Sequence, residues 1–130
     1  MMTVKFITLN IWQGGNLLDE ALSFLQEKDP DILLMQEVYN GKDFSYEQKY
    51  RTFDVIKKIL SFPYASFSPA FLDTRTIGNI DRGNAAFSKF PILGNTTIAY
   101  DLPYGKFDEE HDTASYEKVP MCIEHAVLSI

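Results

Sequence analysis

Apolar and polar positions alternate from the start of the chain. Across residues 4–11, Val4, Phe6, Thr8 and Asn10 fall on one face of an extended strand, and Lys5, Ile7, Leu9 and Ile11 on the other. Trp12-Gln13-Gly14-Gly15 breaks this pattern. Asn16 then fits a helix N-cap, with Asp19 and Glu20 placed to suit the positive end of the helix dipole. Leu17, Leu18, Ala21, Leu22 and Leu25 recur at helical spacing. Asp29-Pro30 closes the helix, because proline disfavours a helical residue before it. Residues 32–38 form a nearly continuous apolar run, which predicts a strand buried on both faces. A strand-helix-strand unit of this length predicts two parallel neighbours joined by a right-handed crossover. A polar loop, 39–46, leads to a second helix over 47–60. Its apolar stripe is Phe53, Ile56, Ile59 and Leu60, with Lys57 and Lys58 facing water. From Phe62 onward come short β-like runs at 64–71, 83–88, 93–100 and 119–130, punctuated by Pro, Gly, Asn and Asp. These predict antiparallel strands, with a long solvated loop over 101–118.

The chemistry collects where the first two strands end. Asn10 and Glu37 lie 27 positions apart, and each closes an apolar run. Parallel pairing brings both to the carboxyl end of a sheet, where ligands of open α/β sheets bind. A carboxylate beside a carboxamide there is a half-site for a hard divalent cation. Gly14-Gly15 lacks the Gly-x-Gly-x-x-Gly spacing of a dinucleotide site.

Composition narrows the classes. At 130 residues, 45% hydrophobic and 23% charged, the chain suits one globular domain, 1–130. No apolar stretch approaches a membrane span. No signal-peptide pattern follows Lys5, so a cytoplasmic location is expected. Cys122 is the only cysteine, so no internal disulfide can form. The net charge is −6, and residues 101–118 hold six acidic residues against two lysines. That is not the basic footprint of a nucleic-acid binder. The last run, 119–130, ends on Ile130 with no cap or turn. It reads as a strand with an open edge, and the chain as the first part of a larger domain.

Three segments carry a resemblance. They are Phe6-Ile7-Thr8-Leu9-Asn10-Ile11-Trp12, then Asp29-Pro30-Asp31-Ile32-Leu33-Leu34-Met35-Gln36-Glu37-Val38, then Gly83-Asn84-Ala85-Ala86-Phe87-Ser88-Lys89-Phe90-Pro91-Ile92. In this order they resemble the endonuclease/exonuclease/phosphatase family, whose members include deoxyribonuclease I. The resemblance implies an α/β fold: the N-terminal part of a DNase I-like β-sandwich flanked by helices, opening with a β-α-β unit. It also implies a metal-dependent phosphoester hydrolase, using Mg²⁺ or Mn²⁺. Glu37 matches the family's metal-ligand Glu. Asn10 matches its Asn, which orients the Glu, ligates the metal or donates to phosphate. Both are candidate catalytic and metal residues. The later family motifs, which hold the remaining ligands and the catalytic His, have no counterpart here. His111 and His125 sit in no matching motif, and Tyr39 stands where some nuclease members have Arg. The chain alone is therefore expected to be weak or inactive.

The remaining candidates carry two readings each. Trp12 is a packing residue beside the site or a substrate contact. Asn84 shapes a turn or meets the substrate. Arg75 and Arg82 lie in a solvated loop or contact phosphate. His125 is a satisfied edge histidine or a base. A different class of function also fits: a non-enzymatic module that pairs through its open last strand, with itself or with a missing C-terminal half.

Overall fold

The computed structural model describes residues 2–107 and 119–130. Strand β1 (Phe6–Asn10) leads through a turn to helix α1 (Leu18–Lys28) and strand β2 (Ile32–Tyr39), and β1 and β2 are parallel as the periodicity predicts. A 3-10 turn (Gln48–Arg51) enters helix α2 (Thr52–Ile59). Strands β3 (Tyr64–Asp73) and β4 (Ile80–Ser88) form an antiparallel pair, and β4 also pairs antiparallel with β2. Two residues, β6 (Lys106–Phe107), add in parallel to β3, so the large sheet has the order β1-β2-β4-β3-β6. Strands β5 (Ile92–Ala99) and β7 (Cys122–Leu128) make a second, two-stranded antiparallel sheet.

One face of the large sheet carries the core. Leu33 and Met35 of β2 and Ala85 and Phe87 of β4 pack against Leu18, Leu22 and Leu25 of α1 and Val55 and Ile56 of α2. The opposite face is only partly covered, because the small sheet lies over β3 and β4. Phe6 remains 54% exposed and Leu34 half-buried. The expectation that β2 is buried on both faces holds in most of the strand: Leu33 and Met35 are sealed on one face, Ile32 and Tyr39 are buried on the other, and Leu34 is half-buried.

Other boundaries shift for local reasons. Asn16 does not cap α1, which begins after Leu17 with no side-chain cap. Residues 12–16 instead coil tightly, with Trp12 and Gln13 at φ 62° and 52°, and the Asn16 N–H bonds the Trp12 carbonyl at 3.0 Å. Gly14 is required in this coil. Its φ is 79°, and a Cβ there would collide with the Lys49 carbonyl oxygen. The 3-10 entry to α2 changes the phase of its stripe, so Val55 is buried while Ile59 is exposed. Strand β4 begins at Ile80, so Arg82 lies in a strand and not in the expected loop. Asn84 likewise sits within β4 and shapes no turn. Phe107 is buried against Phe71, inside a stretch that its acidic neighbours mark as loop. Residues 108–118 of that stretch, His111 among them, lie outside the described residues.

The contact between the two sheets is polar. Glu124 of β7 accepts hydrogen bonds at Oε2 from Ser66 (3.1 Å), Ser68 (3.3 Å) and Asn95 (2.9 Å). Asn84 donates to the Cys122 carbonyl at 2.9 Å. Burial pushes the Glu124 carboxyl up to about 7, against the three hydrogen bonds that favour its charged form. The nearby Cys122 thiol is also pushed up, by burial and by the charge on Glu124. A carboxyl that binds its proton more tightly folded than unfolded stabilises the fold fully below its ordinary value. That contribution is lost as pH rises through about 7. Glu124→Gln, neutral at every pH, should raise the melting temperature by several degrees at about pH 8 and leave it nearly unchanged at about pH 5. Thermal denaturation of both proteins across that range checks this.

Candidate functional site

The first two strands end in register. Asn10 is the β-partner of Gln36, so Asn10 and Glu37 stand at adjacent strand ends. One turn holds both side chains. The Trp12 N–H donates to Asn10 Oδ1 at 2.9 Å, and the next N–H, of Gln13, donates to Glu37 Oε2 at 2.7 Å. The Gly14 N–H then bonds the Glu37 carbonyl at 2.8 Å. Gln36 donates its side-chain amide to Thr8 Oγ1 at 3.1 Å, tying the strands one step earlier.

Glu37 reaches this position through a β-bulge. The β2–β4 register slips between Met35 and Val38, and Glu37 has φ 61°. In unbroken alternation Glu37 would follow Leu33 and Met35 into the core. The bulge turns it out, and its side chain is 31% exposed.

Arg82 meets it there. Its Nη2 lies 3.0 Å from Glu37 Oε1, and its side chain is only 13% exposed. The guanidinium is held over the rings of Tyr39 (5.7 Å) and Phe71 (5.5 Å). Tyr39 is the cross-strand partner of Arg82. The position that is arginine in some nucleases is therefore tyrosine here, but a guanidinium reaches Glu37 from the neighbouring strand. Tyr39 itself donates its hydroxyl to Asp73 Oδ2 at 2.6 Å. Burial and that hydrogen bond push its phenol up to about 12. Asp73 is fully buried and paired with Arg75, whose Nε and Nη2 both lie 3.0 Å from it. Burial alone would raise the Asp73 carboxyl; the Arg75 and Tyr39 hydrogen bonds outweigh that and hold it below its ordinary value. Arg75 does lie in the loop between β3 and β4, but it is ion-paired and 23% exposed, and Arg82 is a strand residue.

A cleft of about 490 Å³ opens beside Glu37, lined by Gln13, Gln36, Arg75, Arg82 and Asn84 on its polar side. Asn10 and Trp12 are not among its lining residues. Trp12 is 56% exposed, so the packing role is corrected: its left-handed backbone turns the indole to the surface. Asn84 borders the cleft while its amide bonds Cys122. His125 sits exposed on the outer side of β7 and does not line the cleft. The sequence pattern missed Gln13, whose backbone holds Glu37, and the Phe71–Phe107 pair beneath the cleft. Only the Gly14-Gly15 turn signal marked the first.

The donor chemistry fits a hard divalent cation. Such ions take oxygen ligands and keep several waters, so one or two carboxylates suffice. Each Glu37 oxygen holds one hydrogen-bonding partner and keeps acceptor capacity, as does Asn10 Oδ1. Among the described residues no three His, Cys, Asp or Glu side chains come together.

Two solved structures match nearly the whole chain. One is an endonuclease/exonuclease/phosphatase from Beutenbergia cavernae DSM 12333, with a TM-score of 0.67 and 14% identity over 98% of this chain and 34% of its own. The other is an endonuclease/exonuclease/phosphatase family protein from Leptotrichia buccalis C-1013-b, at 0.60 and 14% over 98% and 50%. The fold is that of the endonuclease/exonuclease/phosphatase proteins. The chain spans about a third to a half of the length of these two structures. No family model matches the sequence, and no curated protein does. Among the described residues no helix is long and apolar enough to cross a membrane.

The Asp73 pair should be the stability anchor of this region. Asp73→Ala removes the acceptor of the Tyr39 hydroxyl and the carboxylate that both Arg75 nitrogens meet, and should cost about 3 kcal/mol of unfolding free energy. Tyr39→Phe should cost about 1 kcal/mol. Urea unfolding of the two variants checks both values.

Proposed function

We propose that this chain carries the metal-binding half of a phosphoester hydrolase site of the endonuclease/exonuclease/phosphatase type, with Mg²⁺ or Mn²⁺ held by Glu37 and Asn10. The observation that carries this reading is the bulge in β2, which turns Glu37 out of the core toward the cleft where Arg82 waits. A carboxylate in a left-handed conformation, fixed by the next turn's N–H, is costly to maintain and is better placed for a ligand than for packing.

The residues divide the work. Glu37 and Asn10 would hold the cation, and Asn10 would also keep the 12–16 turn in place. Arg82 has five N–H donors and spends one on Glu37, so it can bind a phosphate oxygen without leaving its aromatic bed. A bound Mg²⁺ would neutralise charge on a phosphate oxygen and on the leaving group. Activation of water needs a base. Glu37 is the only Asp, Glu or His among the described residues lining the cleft, and on this reading it holds the cation. On this reading the 130-residue chain turns over weakly by itself.

Calorimetric titration tests the reading. The wild-type chain should bind Mn²⁺, and Glu37→Ala should weaken that binding at least about tenfold, a loss of about 1.4 kcal/mol. Indistinguishable binding by the two would overturn the metal assignment. Vigorous metal-dependent cleavage of bis-p-nitrophenyl phosphate, lost in Glu37→Ala, would keep the assignment and overturn the weak-activity claim.

A second reading has its own observation. Strand β7 pairs only with β5 among the described residues, and Ile98, Ile123 and Val127 are exposed on the small sheet. An interaction module would use that edge for strand addition. Concentration-dependent self-association in size-exclusion chromatography, unchanged by Glu37→Ala, would favour the module.

A further inference from the structure

The cleft is two-sided in its chemistry. Its charges gather at one end, where Arg82 pairs with Glu37 and Arg75 with Asp73. Phe71 and Phe107 lie beneath, their ring centres 5.3 Å apart. Each carries one of the arginines: Arg75 lies 4.3 Å from Phe107, and Arg82 lies 5.5 Å from Phe71. Tyr100, Val119, Pro120, Met121 and Cys122 also line the cleft, and none of these is an Asp, Glu, Lys or Arg.

We propose that this cleft takes a small phosphoester whose group beyond the phosphate is uncharged and apolar or aromatic. The proposal rests on the phosphoester reading above and names the substrate class for that site. The volume of about 490 Å³ suits a small molecule. Arg82 anchors the phosphate beside Glu37, and the remainder of the ligand lies against Pro120, Met121 and Tyr100.

The alternatives meet specific penalties. A nucleic-acid strand needs a succession of cations along its backbone. Arg75 and Arg82 are the only lysines or arginines lining the cleft among the described residues, and both are ion-paired. A cationic headgroup would find Glu37 as the only carboxylate lining the cleft among the described residues, and Arg82 already pairs with it. The sulfur of Cys122 offers little, since its thiol already bonds the Ser68 carbonyl at 3.5 Å.

Trp12 supplies a probe, since it is the only tryptophan in the chain and stands in the turn that holds Glu37. Its fluorescence, with calorimetry alongside, can follow binding of inorganic phosphate, phenyl phosphate, glycerol phosphate and a short oligodeoxynucleotide to the full chain. Phenyl phosphate should bind at least about tenfold more tightly than inorganic phosphate or glycerol phosphate. Met121→Gln, a neutral change at a partly exposed position, should shrink that preference severalfold. Arg82→Gln should weaken all the phosphates together. Equal binding of phenyl and glycerol phosphate, or tighter binding of the oligonucleotide, would overturn the substrate class and leave the phosphoester reading intact. Failure of every phosphate to bind, with Arg82→Gln indistinguishable from wild type, would overturn both.

Discussion

The bulge in β2 is the constraint on which the rest of the site depends. Up to Met35 the strand obeys simple alternation, with Leu33 and Met35 sealed under the helices. Continued for one more step, that alternation would bury a carboxylate among leucines, at a cost of several kcal/mol. The register slip spends two residues, Gln36 and Glu37, where the partner strand spends one, Asn84, and Glu37 swings out at φ 61°. A left-handed conformation costs a non-glycine residue roughly 1–2 kcal/mol, less than burying the charge. Pairing then resumes at Val38, which returns to the core. The same slip sets Tyr39 opposite Arg82, and so delivers the guanidinium that meets Glu37.

The bulge and the turn after β1 support each other. Residues 12–14 cannot pair as a strand, because Trp12, Gln13 and Gly14 all have positive φ. Their N–H groups must find other acceptors. Asn10 Oδ1, Glu37 Oε2 and the Glu37 carbonyl take them in order. Thr52 then closes the back of the turn, its single hydroxyl proton shared between the Gly14 carbonyl oxygen and Lys49 O at the entry to α2. Each of the Asn10 and Glu37 acceptors thus takes one N–H that the turn cannot pair with a strand. The polar residues at the two strand ends are therefore structural as well as chemical.

How much of this could be read from sequence follows from how local each signal is. The β-α-β unit was legible because its periodicity, breakers and length all act within about forty residues. The placement of Asn10 and Glu37 followed from it. Arg82 was not legible as a strand residue. Ile80-Asp81-Arg82-Gly83 shows no clean alternation, because β4 is paired on both edges there and its partner β3 slips register opposite Gly83. A Cβ at Gly83 would strike the Ser68 carbonyl oxygen, so the glycine that looked like a turn is a close strand approach. Asn84 next to it was misread for the same reason. Phe107 was hidden by composition: its burial depends on Phe71, thirty-six positions away, and not on its acidic neighbours. Glu124 was hidden by the opposite error, since an acidic residue in an amphipathic strand is normally assigned to water, whereas here it lies inward.

The two ion pairs of the site differ in kind, and that difference shapes what the site can do. Asp73 is fully buried, bonded by both Arg75 and Tyr39, and held below its ordinary pKa. Losing one partner of such a pair costs about 3–5 kcal/mol, so it does not rearrange for a ligand. Glu37 is nearly a third exposed, and water can replace its partner. Arg82, at 13% exposed, is held as firmly as Arg75, so it is the carboxylate that differs: Glu37 keeps a side open to solvent and Asp73 has none. Phe71 and Tyr39 link the two pairs, because the rings that pack near the buried pair also hold the Arg82 guanidinium in place. The open carboxylate is thus mounted beside a closed one. This is the arrangement expected of a site that must let a ligand in without losing its geometry.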